Sequence, residues 1–135
     1  MLKIKSDSII VNSNAKKCIE YLSNLNNYQY LLPEDKINNW KSSNDFCIFS
    51  IQKAYTLDIV KESFNHNHIS LKSGGKSQFK FKIKIKIQGN SPSSCNAQII
   101  CEANVNPLLK VIVGKPLNEL FNYMANNIEK AISVG

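Results

Sequence analysis

From Lys115 to the end of the chain the apolar residues fall at Leu117, Leu120, Phe121, Met124, Ile128, Ala131 and Ile132. Gaps of three and four put them on one continuous stripe of a helix of roughly five turns. A stripe that long needs a partner surface. The preceding segments supply one, alternating apolar and polar residues with period two, most plainly in Phe79-Lys80-Phe81-Lys82-Ile83-Lys84-Ile85-Lys86-Ile87. One long amphipathic helix and a series of half-greasy strands are satisfied together by a curved antiparallel sheet wrapped around that helix. The expected class is therefore α+β, and such an arrangement often encloses an apolar cavity between sheet and helix.

The remaining elements follow from punctuation. Leu2 to Val11 reads as a first strand, with Leu2 and Ile4 on one parity and Ile9 and Val11 on the other, so a bulge is expected near Ser6–Ser8. Ser13 or Asn14 is a suitable N-cap for a short helix carrying Ala15, Cys18, Ile19, Leu22 and Leu25. Asn26-Asn27 breaks that helix, and a second short helical turn over Tyr28, Tyr30, Leu31 and Leu32 ends at Pro33. Strands are then expected over Ile37–Ser42, Phe46–Gln52, around Tyr55–Val60, at Ile69–Leu71, over Phe79–Ile87 and over Ala97–Val105. Ser73-Gly74-Gly75-Lys76 reads as a hairpin using positive φ at glycine, and Gln88–Pro92 as another turn. Asn106-Pro107 opens a helical segment that Gly114 and Pro116 are expected to kink or restart.

The order strand, two short helices, about six antiparallel strands and a long helix resembles the helix-grip fold of the START/SRPBCC superfamily, which includes birch-pollen-allergen-like proteins and the polyketide cyclase/dehydrase group. The local texture that carries the resemblance is Cys18–Leu25 running into Tyr28–Pro33, then Asn39-Trp40. Asn106-Pro107-Leu108-Leu109-Lys110 and Lys115-Pro116-Leu117 look similar to small bacterial members from Bacteroidetes-type genomes. The resemblance spans all 135 residues. It implies an apolar pocket between sheet and last helix; it does not imply one chemistry.

Composition narrows the function classes. The 135 residues suit one domain, which at that size buries roughly 65–70% of its unfolded surface without staples. No apolar run approaches the ~20 residues that span a bilayer, so no stable membrane insertion is expected. Met1–Asp7 alternates where a signal peptide would be uniformly apolar, which points to a cytoplasmic setting. Cys18, Cys47, Cys95 and Cys101 form no C-x-x-C pair and read as small buried hydrophobes. All seventeen basic residues are Lys and the net charge is +7. Without the guanidinium fork, bidentate readout of phosphate or guanine is not supplied, so no specific nucleic-acid partner is expected.

The expected inner face carries a Tyr hydroxyl and a thiol, while Asp58, Glu62 and Glu102 have the parity of the wet face. General acid–base catalysis thus lacks its main actors. Cys101 has no adjacent His in sequence, His66 and His68 have no third ligand nearby, and no phosphate-loop pattern surrounds Gly74-Gly75. No metal or cofactor is expected. The favoured function is non-catalytic binding or transport of a small hydrophobic molecule such as a lipid, isoprenoid or polyketide-like compound. Leu117, Leu120, Phe121, Met124 and Ile128 are the candidate helical wall, and Tyr55, Phe81, Ile83 and Ile99 the candidate sheet wall. Tyr28, Tyr30 and Trp40 are the candidate entrance. A cyclase- or dehydrase-like enzyme is one alternative. The other is an interaction module that turns the Lys80, Lys82, Lys84, Lys86 face toward anionic partners or a membrane surface. The oligomeric state is left open.

Overall fold

A computed structural model describes residues 1–52 and 55–134. Within them the chain runs β1 (Leu2–Lys5), β2 (Ile9–Val11), α1 (Ala15–Leu22), two 3-10 turns (Leu25–Tyr30 and Glu34–Lys36), β3 (Ile37–Ser42), β4 (Phe46–Ile51), β5 (Tyr55–Phe64), β6 (His68–Ser73), β7 (Lys80–Ser91), β8 (Ser94–Asn104) and α2 (Pro107–Val134). The strands form one antiparallel sheet in the order β1-β8-β7-β6-β5-β4-β3, with β2 also paired to β8. Helix α2 packs against β1, β2, β8 and the first 3-10 turn. This is the helix-grip arrangement expected from the periodicities.

The first strand is interrupted where the parity changed. Lys5 opposes Ile100 and Ile9 opposes Ala97, so one extra residue lies on the β1–β2 side. Ser6 fills the bulge: its N–H donates to the Ile99 carbonyl, and its Oγ accepts from the Ile99 N–H, both at 2.8 Å. The extra residue brings Val11 back to the inner face that Ile4 occupies, and both are buried.

Asn14, not Ser13, caps α1, accepting from the Lys17 N–H at 2.7 Å. The other end of α1 is closed from the sheet. Lys61 Nζ donates to the Ser23 carbonyl at 2.9 Å, and the buried Tyr28 hydroxyl donates to the Leu22 carbonyl at 2.7 Å. Cys18 and Cys95, both fully buried, seat α1 on the start of β8 with their Sγ atoms 3.2 Å apart.

Two expectations about turns are corrected, and the last helix is not restarted. Strand β7 continues through Gln88–Ser91, and the chain reverses at Pro92-Ser93, because Gln88 and Gly89 pair with Asn96 and Cys95. Among the described residues no glycine has positive φ. What Gly74 supplies is room, since a Cβ there would lie 2.4 Å from the Asp58 carboxylate. Residues 74–77 lie against Asp58, whose carboxylate accepts from the Lys76 N–H and whose carbonyl accepts from the Gly74 N–H. Helix α2 is neither ended nor restarted at Pro116, running as one element from Pro107 to Val134. Pro116 forfeits one backbone hydrogen bond, but Val113 and Leu117 on either side of it are buried and hold the turn in place. The helix begins on Asn106, whose side chain accepts from the Leu109 N–H at 2.8 Å.

Candidate functional site

Residues 21–40 and the C-terminal half of α2, far apart in sequence, meet at the open side of the grip. The end of α1 supplies Tyr21; the first 3-10 turn supplies Asn27, Gln29 and Tyr30; Leu32 follows it, and the second 3-10 turn supplies Glu34. Strand β3 adds Ile37 and Trp40, and α2 adds Tyr123, Asn127, Lys130 and Ala131 at spacings of four, three and one, which is one helical face. Between them lies a half-open groove of about 910 Å³. Its floor is aromatic and aliphatic, and its rim carries amides, one carboxylate and one ammonium.

Trp40 is aimed into this groove by a second bulge. Asn38 opposes Ser50 and Lys41 opposes Ile48, so Asn39 and Trp40 together face Phe49. Asn39 takes the left-handed conformation with φ 57°, which Asn tolerates better than most residues. The result places the indole against Phe49 with ring centroids 5.6 Å apart and planes at 23°. The indole N–H donates to Ser42 Oγ at 3.1 Å, and that hydroxyl donates to Asn26 Oδ1 at 2.7 Å. The orientation of the indole is therefore fixed before any ligand arrives.

Tyr21 is the unusual polar group of the groove. Its hydroxyl oxygen is buried and has no hydrogen-bond partner among the described residues. Burial raises the phenol's pKa, with a smaller contribution from Tyr30. A neutral phenol without a partner is a donor and acceptor awaiting one.

The nine candidate wall residues lie elsewhere. Leu117, Leu120, Phe121, Met124 and Ile128 on α2, and Tyr55, Phe81, Ile83 and Ile99 on the sheet, are all buried in one continuous apolar cluster. None of the nine lines the groove. Of the candidate entrance residues, Tyr30 and Trp40 line it, whereas Tyr28 is 1% exposed and belongs to the core. Sequence reasoning missed Tyr21, Tyr123, Asn127 and Lys130. The last three flank the apolar stripe at helical spacing, which is the signal that could have found them.

Two inner-face groups of chemical interest are insulated. The Tyr55 hydroxyl is buried without a partner among the described residues, and burial, aided by Glu119, pushes its pKa up to about 12. Burial, aided by Glu102, likewise pushes the Cys101 thiol up to about 12. A thiol held in its neutral form is a poor nucleophile.

The outer face of the sheet carries Lys80, Lys82, Lys84 and Lys86, all exposed. Lys72 stands opposite Lys82, so β6 extends the basic surface by one residue. Lys61 does not join it, being turned under the end of α1 and paired with Asp45 at 3.2 Å, and Lys53 lies outside the described residues. A shallow depression of about 410 Å³ on this face also includes Glu62 and Glu102, the latter 3.9 Å from Lys3, so the charge there is mixed. His68 stands opposite Lys86 on the same face.

Comparison with solved structures agrees with the geometry. The chain superposes on the protein XoxI of Bacillus cereus with a TM-score of 0.75 at 11% identity, covering 98% of this chain and 96% of that one. A START superfamily protein from Mycobacterium smegmatis matches with a TM-score of 0.69 at 13% identity, over 98% and 97% of the two chains. Norcoclaurine synthase from Thalictrum flavum matches with a TM-score of 0.68 at 15% identity, over 98% and 87%. No family model and no curated protein matches the sequence. The chain shares the fold of these structures, one of them a START superfamily protein and another a norcoclaurine synthase. Among the described residues no helix is long and apolar enough to cross a membrane.

Proposed function

We propose that this protein binds a small, mainly apolar molecule, without transforming it, in the groove between β3, the 3-10 turns and the last turns of α2. The observation that carries this reading is a half-open groove of about 910 Å³ with an aromatic and aliphatic floor, one of whose lining residues, Tyr21, has a buried hydroxyl without a partner among the described residues. That volume is within the range of small-molecule sites, which are mostly apolar with a few placed polar groups. The apolar body of the ligand rests against Trp40, Tyr123, Leu32 and Ile37, and a ligand oxygen meets the phenol of Tyr21. Covering about 200 Å² of apolar ligand surface contributes on the order of 5 kcal/mol before the costs of association. A lipid, isoprenoid or polyketide-like compound with one oxygenated end fits this description. The Tyr55, Phe81, Ile83 and Ile99 wall and the Leu117–Ile128 face take part only if the ligand pushes deeper and parts the sheet from the helix. The high thiol pKa of Cys101 and the isolation of Tyr55 favour carriage over catalysis. Four buried free thiols suit a reducing cytoplasm.

The test is native mass spectrometry with solvent extraction on protein purified gently from its own host. A stoichiometric apolar adduct whose binding is weakened by Trp40→Ala supports the reading. An unliganded mass that stays unchanged after incubation with fatty acids and isoprenoids overturns it.

A further inference from the structure

The first two turns of α2 carry two apolar faces where one would suffice. Val113 and Leu117 point into the core and are 2% and 1% exposed. Leu108, Val111 and Ile112, spaced i, i+3, i+4, lie on roughly the opposite side of the helix, and are 72%, 80% and 59% exposed. Farther along, that outward side turns polar, with Glu119, Asn126 and Ser133. The aliphatic patch is thus confined to one end of the helix. Exposed β-branched residues lower helix propensity and gain nothing from packing, so the patch does not serve the isolated fold.

Charge identifies what covers it. Lys115 lies within the patch one turn beyond Val111 and Ile112 and is exposed; Lys110, on the other side of the same turn, is exposed as well. From residue 103 to residue 118 there is no acidic side chain, and the chain as a whole carries +7. A second copy docked on this patch about a two-fold axis would set lysines against lysines with no carboxylate in the stretch to answer them. An anionic bilayer answers both halves of the pattern, taking the aliphatic side chains at the acyl boundary and the ammonium groups at the headgroups.

We propose that the N-terminal two turns of α2 dock the protein, weakly and reversibly, on anionic lipid surfaces through Leu108, Val111 and Ile112 with Lys115 beside them. The Lys80–Lys86 ladder is not this surface, because it covers the face of the sheet turned away from α2. Three aliphatic side chains and a few ammonium groups supply peripheral attachment only, and salt weakens it.

Flotation with liposomes of phosphatidylcholine containing about one-third phosphatidylglycerol tests the proposal on the full chain. Wild type floats with these vesicles at low salt and not with pure phosphatidylcholine. Leu108→Ser/Val111→Ser/Ile112→Ser, which removes only exposed side chains, lowers the bound fraction at least about tenfold with an unchanged circular dichroism spectrum. Lys115→Glu lowers it by a smaller factor, and Lys84→Glu on the opposite face leaves it as in wild type. Wild type that does not float, a triple variant that floats as well as wild type, or binding abolished by Lys84→Glu alone overturns the proposal. So does a concentration-dependent dimer that the triple variant loses, which would assign the patch to a second copy. The assay reads the helix tip and not the groove, so it stands whether or not a groove ligand is found.

Discussion

Sheet and helix meet in two different ways at the two sides of the grip. Along β1, β2 and β8, α2 is drawn close: the Asp7 N–H donates to Asn122 Oδ1 at 2.8 Å and the Asn12 N–H to Glu129 Oε1 at 2.7 Å. The interior there is Ile4, Ile99, Phe121 and Ile128, each buried. Toward β3, the same helix is held off by the first 3-10 turn, and Tyr123, Asn127 and Lys130 face Trp40 and Tyr21 across open space. One seam is closed by interlocking aliphatic volume, whereas the other is propped open by large aromatics, of which Trp40 is oriented by its hydrogen bond to Ser42. The lesson is that a grip fold need not hollow its core to make a site. It can place one at the edge where the sheet's last strand fails to reach the helix.

The sharpest way to separate the two seams is to damage the closed one. Phe121→Ala removes a side chain that is 1% exposed, and the loss of stability should be about 3–5 kcal/mol. Urea unfolding measures it. If the variant instead loses less than about 1 kcal/mol, the seam is not packed as described and a ligand space could extend into it.

Alkaline pH should stress the buried interior in a similar way. Burial raises the thiol pKa of Cys101 from 9.0 to about 12, and that of Cys47 is raised as well. In the unfolded chain these thiols ionise near pH 9, whereas in the native state they stay protonated. The stability they contribute is therefore fully present below pH 9 and falls as pH rises toward the folded value. Each costs about 1.4 kcal/mol at pH 10. Denaturant midpoints between pH 8 and pH 10.5 should decline, and Cys101→Ala should flatten part of the slope. A midpoint that holds constant across this range would mean that the thiols ionise in place.

These two seams were unequally legible in the sequence. The closed seam is periodicity: every inner-face residue of β5 to β8 named by alternation, from Tyr55 to Ala103, is buried. Period-two and period-3.6 patterns report which side chains leave water, and the core consists of those. Alternation was also enough to flag the Ser6 bulge, because a parity change in a strand has few other causes. The groove depends on where the chain departs from period. Trp40 reaches it through a left-handed Asn39, which leaves no mark on hydrophobic pattern. Tyr123 and Lys130 sit beside the apolar stripe, at positions where a surface residue would look the same. Membership of the core could be read from one element at a time, whereas the groove required α1, both 3-10 turns, β3 and α2 to be placed together.

Trp40→Ala probes the open seam. The indole is half-buried and stacked on Phe49, so its removal should cost about 1–2 kcal/mol in stability, well below the Phe121 effect. Affinity for an apolar probe should fall about tenfold in the same variant. Isothermal titration with the ligand recovered from the host, or with a fatty acid, reads the second quantity. A stability loss with affinity unchanged would make Trp40 a cap on the core and move the site away from the groove.

Tyr21→Phe gives the smallest effect and the most discriminating one, because its two readouts should move in opposite directions. In the free protein the Tyr21 hydroxyl is buried without a partner among the described residues, so it has given up water for nothing. Deleting it should leave stability unchanged or raise it by up to about 1 kcal/mol, since an unsatisfied polar group is a cost and not a contact. With ligand bound, the same hydroxyl has something to bond, and its deletion should weaken binding by about 0.5–1.5 kcal/mol. Packing alone cannot give that pair of signs, because the phenyl ring that fills the space is retained. Thermal melts with and without ligand measure both quantities in one experiment, as the gap between the two melting curves narrows while the unliganded curve holds or moves up. If both curves shift down together, the hydroxyl is bonded within the fold and the groove has lost its orienting group.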